Sequence, residues 1–416
     1  MKLPLINLLL FALLLRSTFS YRFQNELQLN TLELVRKNGY PFENISIVTE
    51  DGYILDLFRI EHGRNVTTGK RPAVLLVHGL FGSSRDYVSM GPNRGLAYKL
   101  ADHGYDVWLG NNRGTSREHI RLNSDYNSKF WDFRYLMEIV LSLLRFLYVF
   151  SWHEVGVYDL PAMIKGVKSF TKQNRIGYIG MSMGTTASYV LGAEKSEYNG
   201  DLSVIISLAP VAFMRHLISP LPLFASPWAW LINVVTKLIK VYEIPPAPLR
   251  GFVSYITERI CHKDSELLDL CVSFFFFLGG YSPSQLNKNE LLTMFGSFPS
   301  SSIRQLLHYA QVINSGDFRQ YDYGWVTNLN KYQKTYPPLY NLSKITAPVA
   351  LFYSSGDWLA QPKDVEMLSK RLPNCILKQK VKLETFNHFD FLFAIDVVPL
   401  LYEDVIRVLD RFSSFV

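Results

Sequence analysis

Cysteine is scarce in this chain: Cys261, Cys271 and Cys375 are the only three among 416 residues. Three thiols cannot build a disulfide scaffold, so the fold has to rest on a buried core. Cys261 and Cys271 are close enough in sequence to bridge locally in an oxidising compartment, which leaves Cys375 over. No group of Cys and His has zinc-ligand spacing, so neither a metal nor a cofactor is expected. Basic blocks are missing as well. The formal net charge is +7, but Lys and Arg are spread along the chain, which argues against nucleic acid and for solubility or attraction to anionic surfaces. There is no internal repeat and no low-complexity linker. The apolar run at the N-terminus, Leu3 to Leu15, is 13 residues long and broken by Asn7, too short to span a bilayer.

That short run follows Lys2 and precedes Arg16, with Thr18 and Ser20 at the −3 and −1 positions of a peptidase site. The order of polarity reads as a secretory signal peptide over residues 1–20, in preference to a buried first helix. Three N-x-S/T sequons, at Asn44, Asn65 and Asn341, fit that route. Asn65 is the best placed of them, in a polar stretch before a strand.

Hydrophobic residues make up 48% of the chain, ample for a full core. Val48 to Leu55 carries Asp51-Gly52 between two β-rich runs, the signature of a hairpin. Apolar strands are expected at Ala73–Val77, Tyr105–Leu109, Arg175–Ile179, Leu202–Leu208, Pro348–Tyr353 and Val381–Phe386, with helices at Gly95–His103, Asp159–Gln173 and Thr185–Glu194. Continuous apolar strands alternating with helices predict an α/β fold, a mostly parallel sheet with helices on both faces. From about Phe213 to Lys344 the pattern changes to aromatics, prolines and amphipathic helices. The chain therefore divides into a first core part, 21–212, an inserted helical cap, 213–345, and a second core part, 346–416.

Gly180-Met181-Ser182-Met183-Gly184 matches G-x-S-x-G between a strand and a helix. A sharp turn there lifts the serine off the sheet, and the close strand–helix approach needs residues without a Cβ. The helix N-terminus behind it favours developing negative charge. A serine nucleophile needs a base, and the base needs an orienting carboxylate. His388 is the histidine that follows an acid placed after the fifth strand. Asp357, just past Leu351-Phe352-Tyr353, is the acid best placed to be aimed by a loop. Asp364 falls in the next helix, and Asp390 is only two residues from His388. Met183 and Leu80 are expected to supply oxyanion-hole amides, each contributing ~3 kcal/mol to transition-state stabilisation. His78 is read as a brace of its turn.

These features resemble the animal acid lipase family, which includes lysosomal acid lipase and gastric lipase, over nearly the whole mature chain. The signposts are Val48-Thr49-Glu50-Asp51-Gly52-Tyr53, Val77-His78-Gly79-Leu80, Gly110-Asn111-Asn112-Arg113-Gly114, Tyr158-Asp159-Leu160-Pro161-Ala162, Leu208-Ala209-Pro210-Val211-Ala212, Tyr340-Asn341-Leu342 and Asn387-His388-Phe389-Asp390-Phe391. The resemblance implies the α/β-hydrolase fold, hydrolysis of neutral lipid esters such as triacylglycerols or sterol esters, and a Ser182–Asp357–His388 triad. The amphipathic cap points to a lipid ester at a droplet, micelle or membrane surface as partner, and the signal peptide to a secreted or lysosomal location. Two departures stand out. Family members carry His and Gln beside the nucleophile, where this chain has Met181 and Met183. The family's Phe-Trp-Asp-Phe runs almost directly into Ser-Trp-His-Glu, whereas here 17 residues, Arg134 to Phe150, separate them. That insertion is nearly all apolar, with Arg134, Glu138, Ser142 and Arg145 on one helix face. It reads as a membrane-surface anchor or as a retained in-frame intron, and the second reading is preferred. The rival functions are a short-chain carboxylesterase with the same triad and a non-enzymatic lipid carrier, which the complete triad argues against.

Overall fold

A computed structural model describes residues 29–65, 69–115, 150–239, 241–246, 249–295 and 299–413. The expected signal peptide lies outside these residues, as does the 134–150 insertion apart from Phe150, which is buried.

The Asp51-Gly52 turn joins β1 (Glu43–Val48) to β2 (Ile54–Ile60), antiparallel, with Val48 opposite Ile54. Then come β3 (Ala73–Val77), β4 (Asp106–Gly110), β5 (Ile176–Met181) and β6 (Leu202–Leu208). Every residue of β3, β4 and β5 is buried, as strands covered on both faces require. Two-residue strands β7 (Glu243–Ile244) and β8 (Ser301–Ser302) pair with each other. β9 (Val349–Tyr353) and β10 (Cys375–Lys380) complete an eight-stranded sheet in the order β1-β2-β4-β3-β5-β6-β9-β10. From β4 to β10 all neighbours are parallel.

Helices α1 (Leu96–Asp102), α2 (Leu160–Thr171) and α3 (Met183–Glu194) pack on this sheet. Between the adjacent strands β6 and β9 the chain makes its long excursion, through α4 (Ala229–Leu238), α5 (Arg250–Cys261), α6 (Leu268–Gly279) and α7 (Ile303–Ser315). Cys261 and Cys271 form a disulfide that joins α5 to α6, and Cys375 is free. After β9 come α8 (Pro362–Ser369) and α9 (Glu403–Phe412). Among the described residues no helix is long and apolar enough to cross a membrane.

The sixth expected strand is displaced. The chain pairs with β9 through Cys375–Lys380, whereas 381–386 is irregular. β10 is an edge strand whose residues alternate between half-buried and exposed, with Lys378 and Lys380 on the outer face. Its cations hid it from a search for apolar runs. The apolar Val381 and Phe386 are buried as loop residues, in a segment that must turn back over the sheet rim.

Candidate active site

β3, β5, β6 and β9 are parallel, so their C-terminal ends share one rim. Ser182 stands at the end of β5, with φ 51° and ψ −113°. Its amide donates to the Leu208 carbonyl of β6 (3.0 Å), and its carbonyl accepts from Thr185 (2.9 Å) as α3 begins. The turn leaves no room for side chains on its glycines. A Cβ on Gly180 would stand 2.7 Å from the Gly184 carbonyl carbon, and one on Gly184 would stand 2.2 Å from the Val77 carbonyl oxygen.

Asp357 follows β9 and is fully buried. Its Oδ1 accepts from the amides of Leu359 and Ala360, both at 2.8 Å, which fixes the plane of the carboxylate. Its Oδ2 is 2.8 Å from His388 Nδ1, and His388 Nε2 is 2.9 Å from Ser182 Oγ. The residues singled out in sequence as nucleophile, acid and base thus form one hydrogen-bonded chain. With Asp357 accepting at Nδ1, that nitrogen carries the proton and Nε2 presents a lone pair to the serine hydroxyl.

The other acids have other partners. Both oxygens of Asp364 are taken by His216, one by its amide (2.9 Å) and one by Nδ1 (2.7 Å). Asp390 accepts from the Asn387 amide (2.7 Å) and is buried. Burial raises its carboxyl to about 7, against the lowering effect of the Ser282 and Asn387 hydrogen bonds. His308, on α7, is stacked on Trp152, ring centroids 3.6 Å apart.

Of the two residues expected to supply oxyanion amides, one adjoins the serine in the chain and the other follows a glycine packed against it. Met183 is the first residue of α3. Leu80 follows Gly79, whose position would bring a Cβ to 3.1 Å from Ser182 Cβ. His78 is a brace. Its Nδ1 donates to the Gly79 carbonyl (2.8 Å), and its Nε2 accepts from the Asn112 amide (3.2 Å).

Three sequence signposts meet behind that brace. The Arg113 guanidinium is wholly buried and donates to Asp51 (2.7 and 2.9 Å) and Asp159 (2.7 Å), with the Tyr53 ring 4.4 Å below it. Sequence reasoning saw these motifs and not their common purpose, which is to anchor the loop after β4 against the hairpin and α2. It also missed Gly279 and Gly280, and gave Asn387 no role beyond its place in a signpost; together these residues join the Asp357 and His388 loops to α6.

Residues 31–91 match the family described as a partial alpha/beta-hydrolase lipase region, and residues 72–214 match the alpha/beta hydrolase fold. Lipase 3 of Drosophila melanogaster is 35% identical over 92% of this chain and 93% of its own. Human lipase member K is 33% identical, and human gastric triacylglycerol lipase 32%, each over 93% of this chain and 92% of its own. Among solved structures, a putative lipase from Sulfolobus solfataricus superposes with a TM-score of 0.53 at 13% identity, over 89% of this chain and 99% of that chain. Monoglyceride lipase from Saccharomyces cerevisiae superposes at 0.50 with 15% identity, over 95% and 99%. At those identities the likeness is one of fold.

Proposed function

The chain belongs to the α/β-hydrolase lipase family, and from that premise we propose that it hydrolyses neutral lipid esters, triacylglycerols or sterol esters, through an acyl-enzyme on Ser182. The observation that carries the reading is the unbroken line of two short hydrogen bonds, Ser182 to His388 to Asp357. Ser182 Oγ attacks the ester carbonyl while His388 Nε2 takes its proton. Asp357 stabilises the imidazolium and holds the ring. The amides of Leu80 and Met183 receive the oxyanion, which as backbone donors they do whatever their side chains. Collapse of the tetrahedral intermediate breaks the ester C–O bond, and His388 returns the proton to the departing alcohol. Water then attacks the acyl-enzyme with His388 as base and releases the fatty acid.

The substrate class is supported by relatives named for triacylglycerol hydrolysis and by the outer face of the 213–345 cap. There Phe224, Trp228, Trp230 and Leu238 are all more than half exposed, a surface suited to an aggregated lipid. Passage through the secretory pathway, to the exterior or to lysosomes, is supported by the Cys261–Cys271 disulfide and by the exposure of Asn44, Asn65 and Asn341 as glycan acceptors.

The test is hydrolysis of triolein, cholesteryl oleate and a series of shorter esters between pH 4 and 8. Long-chain esters are the expected substrates, and Ser182→Ala lowers kcat at least ~10³-fold. A preference for acetate or butyrate esters makes the protein a short-chain carboxylesterase instead. Full activity in Ser182→Ala rejects the nucleophile.

A further inference from the structure

The loops that carry Asp357 and His388 come from different strands, yet both are tied to the same helix end. The Gly279 carbonyl, at the last residue of α6, accepts from the amide of Trp358 (3.1 Å) and from that of His388 itself (3.2 Å). The Gly280 carbonyl accepts from Asn387 Nδ2 (2.9 Å). On its other side, the Trp358 carbonyl accepts from Ile218 and Ser219, both at 3.1 Å, where the chain has just left β6. The residue after the acid is thus held by its N–H and its C=O, each time by the long excursion between β6 and β9.

The fit is too close for side chains. A Cβ on Gly280, whose φ is +118°, would meet the Gly356 carbonyl oxygen at 2.0 Å, and one on Gly279 would come within 2.6 Å of the Phe389 ring.

Asn387 is the side chain that reads this helix end. Its Oδ1 accepts from the amides of Phe389 (2.8 Å) and Asp390 (3.0 Å), which identifies the oxygen and turns Nδ2 toward Gly280. Its own amide donates to Asp390. Asn387 and His388 are both 4% exposed, so these bonds do not compete with bulk water. Held from one helix end, the imidazole and the carboxylate keep a separation that two independently mobile loops would not.

Building on the proposed triad, we infer that Asn387 is a positioning residue: by docking the His388 loop on the end of α6, it sets the His388–Asp357 geometry, and α6 thereby becomes a structural part of the catalytic centre. A shift of α6 then opens the imidazole–carboxylate pair while the sheet stays folded.

Two substitutions remove the bond to Gly280 and keep an acceptor for the loop amides. Asn387→Asp replaces the donor by an oxygen. Asn387→Ser retains a hydroxyl too short to reach Gly280. The full-length protein is assayed on p-nitrophenyl butyrate, with the rate of covalent labelling by a fluorophosphonate as second readout. The expected result in both variants is a fall of about 10- to 100-fold in kcat and in labelling rate, with KM near the wild-type value and cooperative thermal unfolding. Labelling that is slow but reaches completion, beside none at all in Ser182→Ala, supports the role. Wild-type kcat and labelling rates in the two Asn387 variants overturn it and leave the nucleophile assignment standing. A rise in KM at unchanged kcat also overturns it, because it would place Asn387 in substrate binding.

Discussion

Ser182 is held at a φ of 51°, where a Cβ collides with its own backbone, and such conformations cost about 1–3 kcal/mol. The cost is tolerated because the Leu208 carbonyl, the Thr185 amide and the packed turn leave the residue no alternative. Replacing it by glycine relieves the strain and loses some chain entropy in return. Ser182→Gly is therefore expected to gain ~1 kcal/mol of stability, read as a higher midpoint in urea, while losing activity. A midpoint below wild type would mean that the turn is not strained. Gly184→Ala should act in the opposite sense, because its methyl group would overlap the Val77 carbonyl oxygen at 2.2 Å. A loss of ~3 kcal/mol or more is expected in the same titration. These positions were legible in sequence because the motif states the geometry: strand, small residue, serine, small residue, helix. Asn387 was not, because its partner Gly280 lies 107 residues away, and no local pattern records a meeting of that kind.

At the scale of elements, the staple between α5 and α6 invites a direct measurement. It closes a loop of sequence separation 10, for which chain entropy assigns about 2–3 kcal/mol. Cys261→Ser with Cys271→Ser is expected to lower the unfolding free energy by that amount. Activity should fall below the unfolding transition as well, since α6 ends on the acid and base loops. A double variant with the wild-type unfolding midpoint would show that α5 and α6 are held by packing alone. The reading of elements from sequence succeeded where periodicity and burial agree, as in β3, whose five residues are all apolar and all buried. It failed at β10, where one face meets solvent and carries lysine. Arg113 marks a different limit. Its motif was recognised, but the buried pairing with Asp51 and Asp159 depends on three segments that only the fold brings together.

Four buried groups titrate in opposing senses and contribute to the pH dependence of the whole molecule. Burial raises Asp86 and Asp390 to about 7 and lowers His153 to about 4 and His308 to about 3. At pH 5 the unfolded chain protonates the two histidines and ionises the two aspartates, while the folded chain does the reverse. Both states then bind two protons through these four groups, so their contributions to the slope of stability with pH cancel. Glu154 adds a term at lower pH. Burial pushes its carboxyl up, but His153, Lys331 and the Ser151 amide outweigh that and hold it at about 2. Because the unfolded chain takes up this proton near pH 4.5, the stability it contributes is lost as pH falls toward 2. Thermal scans should therefore give a nearly constant Tm from about pH 4.5 to 6.5 and a decline below. Asp86→Asn combined with Asp390→Asn removes one side of the balance, and the Tm of that variant should fall as pH drops from 6.5. A double variant as flat as wild type would refute the balance.

The lysines of β10 bear on how the protein behaves when crowded. An open strand at the margin of a sheet is a template on which another copy can add, unless something repels it. Lys378 and Lys380, on the exposed face of that margin and paired with Glu366 and Glu384, put hydrated charged side chains where two such strands would have to align. Exchanging both for valine leaves the interior untouched and removes this guard. The same fold should then become prone to build ordered aggregates from its C-terminal side, visible as light scattering that grows with protein concentration.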